Sequence, residues 1–307
     1  FQLSWFLQNR TVDRPPWVIP GILRERWRLM VIAPEGAGKL LTLTTSIPTV
    51  SGWTTMGDIK VGDRVFDQHG RPCRVTARSL VDMAPESYEI EFSDGVKQVA
   101  CADHQWVTID YVHRQPWRKD RWEQQVVTTR QIRDTLKARD GHCANHAIPV
   151  AGALDLPTAD LPLDPYLLGV WLGDGTTNSG SITLADRDEA AIRARAGWAN
   201  HVVPSTVIPG KACRLYRFDG LTVALRDAGV LNNKHIPARY FRASTEQRLA
   251  LLQGLMDTDG YVTGRGDGEG RGSGAASCEL TFTNERLATD AVALIRTLGI
   301  LPGVHES

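Results

Sequence analysis

LLGVWLGDG, at residues 167–175, is matched later in the chain by LQGLMDTDG at residues 252–260. Each copy is an apolar run that ends in Asp-Gly, with small residues four positions apart: Gly169 and Gly173, then Gly254 and Thr258. Positions four apart share one face of a helix. Glycine inside a helix costs about 1 kcal/mol relative to alanine, and a tight contact between two helix backbones would explain it. The repeat therefore predicts two similar structural units.

The two acids before the final glycines, Asp174 and Asp259, are the candidate catalytic and metal-binding residues. A carboxylate at a helix C-terminus faces the negative end of the dipole, at a cost of about 0.3–1 kcal/mol. If the helices pack side by side, carboxylates about 5 Å apart repel by roughly 3 kcal/mol at an effective dielectric of about 20. A divalent cation reverses that sign, and oxygen ligands suit Mg²⁺. The alternative is two ordinary amphipathic helices, each ended by a glycine C-cap.

The repeated peptide resembles the motif of the LAGLIDADG homing endonucleases, and the segments around it resemble an intein. The resemblance covers residues 40–307. It implies Mg²⁺-dependent double-strand cleavage of DNA, with Asp174 and Asp259 each supplied by one motif. Because the two copies differ in sequence, we expect an asymmetric duplex target. Asp257 has no acidic match in the first copy, where Leu172 stands, so we interpret it as a structural or polar contact.

Lys234 is the third catalytic candidate. It lies in NNKHIP at residues 232–237, which resembles a lysine-bearing block between the two motifs of intein endonucleases. The resemblance implies that Lys234 stabilises phosphate charge or polarises water. The alternative is a solvated surface lysine.

A broken phosphate-binding loop precedes the intein-like region. Residues 28–34 predict a buried strand that runs into EGAGK at residues 35–39. In the pattern G-x-x-x-x-G-K-[ST], Ala33 stands at the first glycine and Leu40 stands at the hydroxyl residue. Residues 40–49, LLTLTTSIPT, look like the start of an intein, and inteins often interrupt a host protein at its functional motif. We therefore interpret residues 1–39 as the N-extein of a RecA/helicase-like P-loop ATPase.

The splicing candidates are His104, Trp106, Lys39 and Leu40. CADH at residues 101–104 stands where inteins carry a Thr-x-x-His block, so the resemblance implies that His104 donates to the scissile amide or its oxyanion. Leu40 has no nucleophilic atom, and Trp106 matches a tryptophan of the inteins that lack an N-terminal nucleophile. Plain core packing is the alternative for Trp106. The late cysteine, the His-Asn pair and the downstream Ser or Thr should follow residue 307, so we expect no self-splicing from this chain alone.

The predicted fold class is α+β and multi-domain. Alternation at residues 87–92 and turns at residues 67–70 and 94–95 favour a β-rich region. We predict an N-extein at residues 1–39, the N-terminal part of a Hint splicing domain at 40–155, and a LAGLIDADG α/β domain at 156–307. The resemblance implies a pseudo-twofold endonuclease domain, whose second half we expect to be truncated.

Composition limits the function classes. The chain has 307 residues and 42% hydrophobic content, so two domains with cores can form. We expect no membrane span, and five cysteines without CxxC pairing indicate reduced thiols in a cytoplasmic monomer. The formal net charge of zero argues against DNA binding unless basic residues cluster. The candidate arginines are Arg187, Arg193, Arg195, Arg214, Arg217, Arg239, Arg242, Arg265 and Arg271.

Three alternatives stay open beside the intein-encoded nuclease, whose expected partners are double-stranded DNA and the host ATPase exteins in cis. The first is a P-loop NTPase, which Leu40 opposes. The second is a LAGLIDADG RNA maturase, which the β-rich block opposes. The third is a degenerate DNA-binding element without cleavage. The presence of both acids and Lys234 opposes it, whereas the expected truncation favours it.

Overall fold

The computed structural model describes residues 41–78, 85–93, 96–115, 123–195, 202–210, 212–263 and 277–305. The predicted N-extein at residues 1–39, including Lys39, and the first predicted intein residue, Leu40, lie outside the described residues. The chain forms two compact units. Residues Leu156–Leu298 form one, which we call the motif unit, and the described residues up to Asp155 and from Gly299 onward form the other, which we call the β-rich unit.

The second boundary differs from the predicted endonuclease domain, which runs to residue 307. The motif unit ends at Leu298 because the next residue packs within the β-rich unit. A Cβ atom on Gly299 would lie 2.8 Å from the backbone nitrogen of Ala153. Gly299 therefore lies beside Ala153 within the β-rich unit.

Among its described residues, the β-rich unit contains three antiparallel sheets and one short helix. The first sheet has the order β2-β1-β3-β4. Its strands are β1 Ser46–Thr49, β2 Gly52–Thr55, β3 Arg64–Phe66 and β4 Pro72–Arg74. The second sheet pairs β5 Ser87–Glu91 with β6 Lys97–Cys101. In the third, β7 Gln105–Asp110 lies between β8 Gln125–Thr128 and β9 His146–Ala147, and β8 leads into α1 Thr129–Asp134.

The predicted alternation at residues 87–92 corresponds to β5, whose side chains are alternately exposed and half-buried. At the start of α1, the Thr128 side chain accepts from Gln131 N–H, and the Gln131 side chain accepts from Thr128 N–H. This reciprocal capping satisfies two helix-end donors. It fixes the point where β8 turns into the helix.

The described part of the motif unit combines five α-helices and one 3₁₀ turn with two small sheets. The helices and the 3₁₀ turn are α2 Pro165–Asp174, α3 Glu189–Arg195, α4 Leu221–Asp227, 3₁₀ Tyr240–Arg242, α5 Thr245–Asp259 and α6 Glu285–Thr297. The strands are β10 Ser181–Ala185, β11 Val202–Val207, β12 Cys213–Phe218, β13 Gly260–Thr263 and β14 Ser277–Leu280. Both sheets are antiparallel, with the orders β10-β12-β11 and β13-β14.

Local sequence sets both ends of the motif helices. The Asp164 side chain accepts from Leu167 N–H at the start of α2, and Ser244 forms a capping box with Gln247 at the start of α5. Asp174 and Asp259 are the last helical residues. The glycines that follow have extended backbones, with φ of −76° at Gly175 and −97° at Gly260, so they are not the left-handed caps usual for glycine.

The predicted contact between motif helices is present. A Cβ atom on Gly169 would lie 2.3 Å from the Leu251 carbonyl oxygen, and one on Gly254 would lie 2.2 Å from the Tyr166 carbonyl oxygen. Only glycine permits two backbones to approach this closely. The alternative of ordinary amphipathic helices is wrong for α2, because eight of its ten residues are buried.

Among the described residues, no helix has both the length and the apolar character needed for a membrane span.

Candidate functional site

The close helix contact continues to the ends of both motifs. A Cβ atom on Gly173 would lie 2.0 Å from Thr258 Oγ1 and 3.2 Å from Asp259 Oδ2. The Asp259 carboxylate therefore lies against the backbone that directly precedes Asp174. The structure thus brings the two predicted acids to one place.

The environment of this acid pair disfavours two negative charges. Burial first, and then the charge of Asp259, raise the pKa of Asp174 to about 6, and Lys234 opposes this shift. Burial raises the pKa of Asp259 as well, again opposed by Lys234. Asp174 nevertheless keeps exposed surface, whereas Asp259 is half-buried. A cation that reached the pair through this exposed side would favour the ionised form of both carboxylates.

Lys234 lies at the end of the first motif helix. Its Nζ donates to the carbonyl oxygens of Leu172 at 2.9 Å and Gly173 at 3.0 Å, and it lies 5.3 Å from the centre of the Trp171 ring. A lysine in this position satisfies helix-end carbonyls and complements the negative end of the dipole. Burial lowers the pKa of Lys234, while Asp259 and Asp174 raise it. The alternative of a solvated surface lysine is therefore wrong.

Asp257 belongs to a separate polar cluster. The Tyr166 hydroxyl donates to Asp257 Oδ2 at 2.7 Å, and Arg195 Nη1 lies 3.6 Å from the same oxygen. The Asp257 side chain is only 8% exposed. Arg195 also lies over the Tyr166 ring and donates to Gln253. The interpretation of Asp257 as a polar contact agrees with this geometry, whereas its partners Tyr166 and Arg195 carry no sequence signal that links them.

Several of the candidate arginines are neutralised by neighbouring acids. Arg187 pairs with Asp188, Arg193 with Glu189, Arg195 with Asp257 and Arg214 with Asp186. Arg265 and Arg271 lie outside the described residues. Arg217 and Arg239 are exposed. The sequence shows where the charges stand along the chain, but their acidic partners depend on the fold.

The face of the β10-β12-β11 sheet opposite the core carries one of these exposed arginines. Side chains alternate between the two faces of a strand. In the central strand β12, Tyr216 and Phe218 are buried in the core, so Arg217 between them points to the opposite face. Arg217 pairs across the sheet with Ser181 and Val203.

The predicted splicing residues that are described, His104 and Trp106, lie together in the β-rich unit. Both are buried, and their rings meet edge to face with centroids 4.7 Å apart. Trp106 Nε1 donates to Thr129 Oγ1 at 2.9 Å, and Thr129 N–H donates to the His104 carbonyl oxygen at 2.9 Å. The sequence did not predict the contact of Thr129 with these two residues, because Thr129 belongs to a different element, the start of α1.

The chain next to the predicted junction also reaches this block. Leu41 forms an isolated antiparallel bridge with Ala100. It is buried in one cluster with Phe92, Ala100, Trp106 and Ile132. Leu41 therefore packs beside the strand that leads into His104. Cys101, a small residue at the end of that strand, is buried.

Comparison with known proteins gives matches on both the motif and the surrounding chain. The family model described as "LAGLIDADG-like domain" matches residues 246–307. The replicative DNA helicase DnaB of Mycobacterium intracellulare is 39% identical over 286 residues, which cover 89% of this chain and 45% of the relative. The DnaB helicase of Mycobacterium leprae (strain TN) is 49% identical over 80 residues, or 26% of this chain and 13% of the relative. The chain thus spans less than half the length of these curated relatives.

Two solved structures of inteins are also similar to parts of the chain. The Msm DnaB1 intein splicing domain bound with zinc is 51% identical, with a TM-score of 0.22, over 22% of this chain and 55% of that chain. The MchDnaB-1 intein is 33% identical, with a TM-score of 0.26, over 36% of this chain and 76% of that chain.

The repeated motif, the splicing-type block and the sequence matches together support an intein that carries a LAGLIDADG-like domain. The similarity to replicative DNA helicases DnaB agrees with the predicted RecA/helicase-like P-loop ATPase as host. The predicted α+β class is confirmed at the level of a mixed fold with a β-rich unit and an α/β motif unit.

Proposed function

We propose that the motif unit is a homing endonuclease that makes Mg²⁺-dependent double-strand cuts in an asymmetric DNA target. The observation that carries this proposal is the meeting of the two motif ends. Asp259 is close enough to raise the pKa of Asp174, and the Lys234 ammonium group is held beside both. Two acids and one cationic group around one point are suited to the chemistry of a phosphodiester.

The donor set of the acid pair fits Mg²⁺. This ion usually binds through one or two carboxylates, several waters and substrate phosphates. Among the described residues, no group of three or more His, Cys, Asp and Glu side chains is placed to hold a metal. Asp174 and Asp259 would therefore hold the ion together with water, backbone oxygens and DNA phosphate. When bound, Mg²⁺ supplies Lewis-acid stabilisation and a more acidic water.

The remaining residues of the site have separate parts in the proposal. Lys234 would stabilise negative charge on the phosphate, because its ammonium group is already oriented and half-desolvated. Arg217, which is exposed on the sheet face opposite the core, would contact the DNA backbone. The two motifs are not equivalent, since Leu172 stands where the second motif has Asp257. This difference supports an asymmetric target. The pseudo-twofold arrangement is part of the same proposal.

The full-length protein is expected to cut duplex DNA that spans the intein-free insertion site of its host gene. Linear double-strand products should form with Mg²⁺ and should be absent with EDTA, because the acid pair needs a cation to reach the reactive arrangement. The measurement is product formation on an end-labelled duplex. The same duplex interrupted by the intein coding sequence is the control and should stay intact.

A folded protein that binds the intein-free duplex but never cuts it would contradict the nuclease. That result would support the alternative of a DNA-binding element without cleavage. The maturase alternative would require binding to a structured RNA. The P-loop NTPase alternative depends on residues 28–40, which lie outside the described part of the chain.

We also infer that the β-rich unit is the N-terminal part of a Hint domain that splices the full-length precursor. Leu41, the residue after the predicted junction, packs in the cluster that contains Trp106 and pairs with Ala100 in the strand that leads to the block of His104. His104 would donate to the scissile amide or its oxyanion, and Trp106 would hold the histidine ring in place.

Replacement of His104 by alanine in the full-length precursor is expected to slow cleavage at the upstream junction by about 100-fold, as loss of an oxyanion donor does. The measurement is the time course of precursor and products on a denaturing gel. His142→Ala is a matched control, because His142 is exposed in the same unit. Equal rates for His104→Ala and His142→Ala would refute the splicing role of His104.

A further inference from the structure

The loop that carries Lys234 is held by the last helix of the motif unit. We call residues 232–236 the lysine loop. Ile236 N–H donates to Asp290 Oδ2 at 2.9 Å, and Arg286 Nη1 donates to Asn233 Oδ1 at 3.2 Å. Both side chains come from α6, where they are four residues apart and so share one face. The helix therefore contacts the loop on both sides of Lys234.

The start of α6 adds a third contact. Asn284 caps the helix, since its Oδ1 accepts from Leu287 N–H at 3.1 Å. The same side chain donates from Nδ2 to the Lys234 carbonyl oxygen at 3.4 Å. Leu287, Ala291 and Leu294 are buried, which fixes the helix itself against the core. The contacts to the lysine loop thus come from a rigid element.

The opposite end of the loop is attached to the first motif. Asn232 N–H donates to the Thr177 carbonyl oxygen at 2.8 Å, just beyond the end of α2. Asn232 has a φ of +60°, which is a left-handed conformation that non-glycine residues adopt only with support. The lysine loop therefore needs its contacts to keep this backbone shape.

These contacts decide where the Lys234 ammonium group lies. A lysine side chain is a flexible four-carbon stem with a point charge at its end. Its Nζ donates to the last carbonyl oxygens of α2 only while the backbone of the loop stays at the correct distance. Of the three contacts, the one from Asp290 is a short hydrogen bond to the loop backbone from a half-buried carboxylate.

We propose that Asp290 is a positioning residue for Lys234. It acts through the backbone of the lysine loop, with Arg286 and Asn284 as supporting contacts. Helix α6 follows the second motif in the chain. Asp290, on this helix, would therefore position the Lys234 ammonium group at the end of the first motif helix. The effect of Asp290 on DNA cutting rests on the proposed nuclease function, whereas its effect on the position of Lys234 does not.

The first measurement is the rate at which an amine-acylating reagent modifies Lys234 in the full-length protein, followed by peptide mass spectrometry. Asp290→Ala removes the acceptor of Ile236 N–H and should raise this rate about fivefold, the change expected for loss of one hydrogen bond. Asp290→Asn keeps an acceptor oxygen and should stay near wild type. Asp227→Ala, on the exposed surface of α4, is the control and should change nothing.

The second measurement is the kinetics of DNA cutting by the same variants. Asp290→Ala should lower kcat about tenfold with little change in KM, because the misplaced group acts in the chemical step. Asp290→Asn should restore most of kcat. If Asp290→Ala does not fold, Arg286→Ala serves in its place, with a smaller change in the same direction, because Arg286 is exposed and contacts only a side chain of the loop.

The outcomes separate the two proposals. Wild-type reactivity of Lys234 in folded Asp290→Ala, or in Arg286→Ala if the former is unfolded, would overturn the positioning role even if the protein cuts DNA. Increased reactivity in a protein that never cuts DNA would leave the positioning role in place and remove the nuclease. Increased reactivity with unchanged kcat would show that Asp290 positions a lysine that cutting does not use, and would overturn the proposed link to catalysis.

Discussion

Asp174→Asn and Asp259→Asn are each expected to lower the rate of double-strand cutting by about 10³-fold, near the upper loss for removal of one group that stabilises a developing charge. Each substitution removes one negative ligand from the acid pair while keeping the size of the side chain. DNA binding should survive, because contacts to the phosphate backbone come from other residues. The measurement is single-turnover cutting at saturating protein, with binding followed by gel shift.

These variants should fold at least as well as the wild type without metal. Burial and the neighbouring Asp259 raise the pKa of Asp174 to about 6, above its ordinary value, so the ionised carboxylate present at neutral pH destabilises the metal-free folded state. Asparagine removes that charge. Asp227→Asn is the control, since Asp227 is exposed on α4. Cutting at the wild-type rate by both Asp174→Asn and Asp259→Asn would remove the catalytic assignment.

Gly254→Ala is expected to destabilise the protein by about 3 kcal/mol, at the upper end of the usual cost of overpacking a core. Its Cβ atom would lie 2.2 Å from the Tyr166 carbonyl oxygen and 2.8 Å from Val170 N, and both are backbone atoms. The helices would have to separate. Alanine favours a helix by only about 1 kcal/mol over glycine, which does not offset this cost.

The measurement for Gly254→Ala is the free energy of unfolding in urea, compared with the wild type. Gly169→Ala should behave alike, because its Cβ atom would lie 2.3 Å from Leu251 O in the same contact. Gly303→Ala is the control, because its Cβ atom would lie an ordinary 3.7 Å from the nearest atom, His305 Nε2. A Gly254→Ala protein as stable as Gly303→Ala would refute the close packing of the motif helices.

The motif helices could be predicted from the sequence because their signals are local. Small residues four apart give the helix face, and the final Asp-Gly gives the helix end. Asp164 and Ser244 mark the helix starts by ordinary capping chemistry. The repeat predicted that Asp174 and Asp259 lie close together only on the assumption that the small-residue faces of the two motif helices pack against each other.

The partners of Lys234 and Asp257 could not be predicted in the same way. Lys234 contacts carbonyl oxygens of Leu172 and Gly173, and backbone carbonyls leave no mark in a sequence. Asp257 contacts Tyr166 and Arg195, which come from two other helices. Both arrangements depend on the tertiary approach of distant segments, for which one sequence gives no signal.

Binding of Mn²⁺, used in place of Mg²⁺ as a spectroscopic probe, tests the shared acid pair without any need for the DNA target. The full-length wild-type protein is expected to bind the ion. Asp174→Asn and Asp259→Asn should each weaken that binding at least about tenfold. Substitution of a residue that only supports a metal ligand already causes a loss of this size, and these two residues would be ligands themselves. Wild-type affinity for Mn²⁺ in both variants would contradict the claim that these two carboxylates hold one cation.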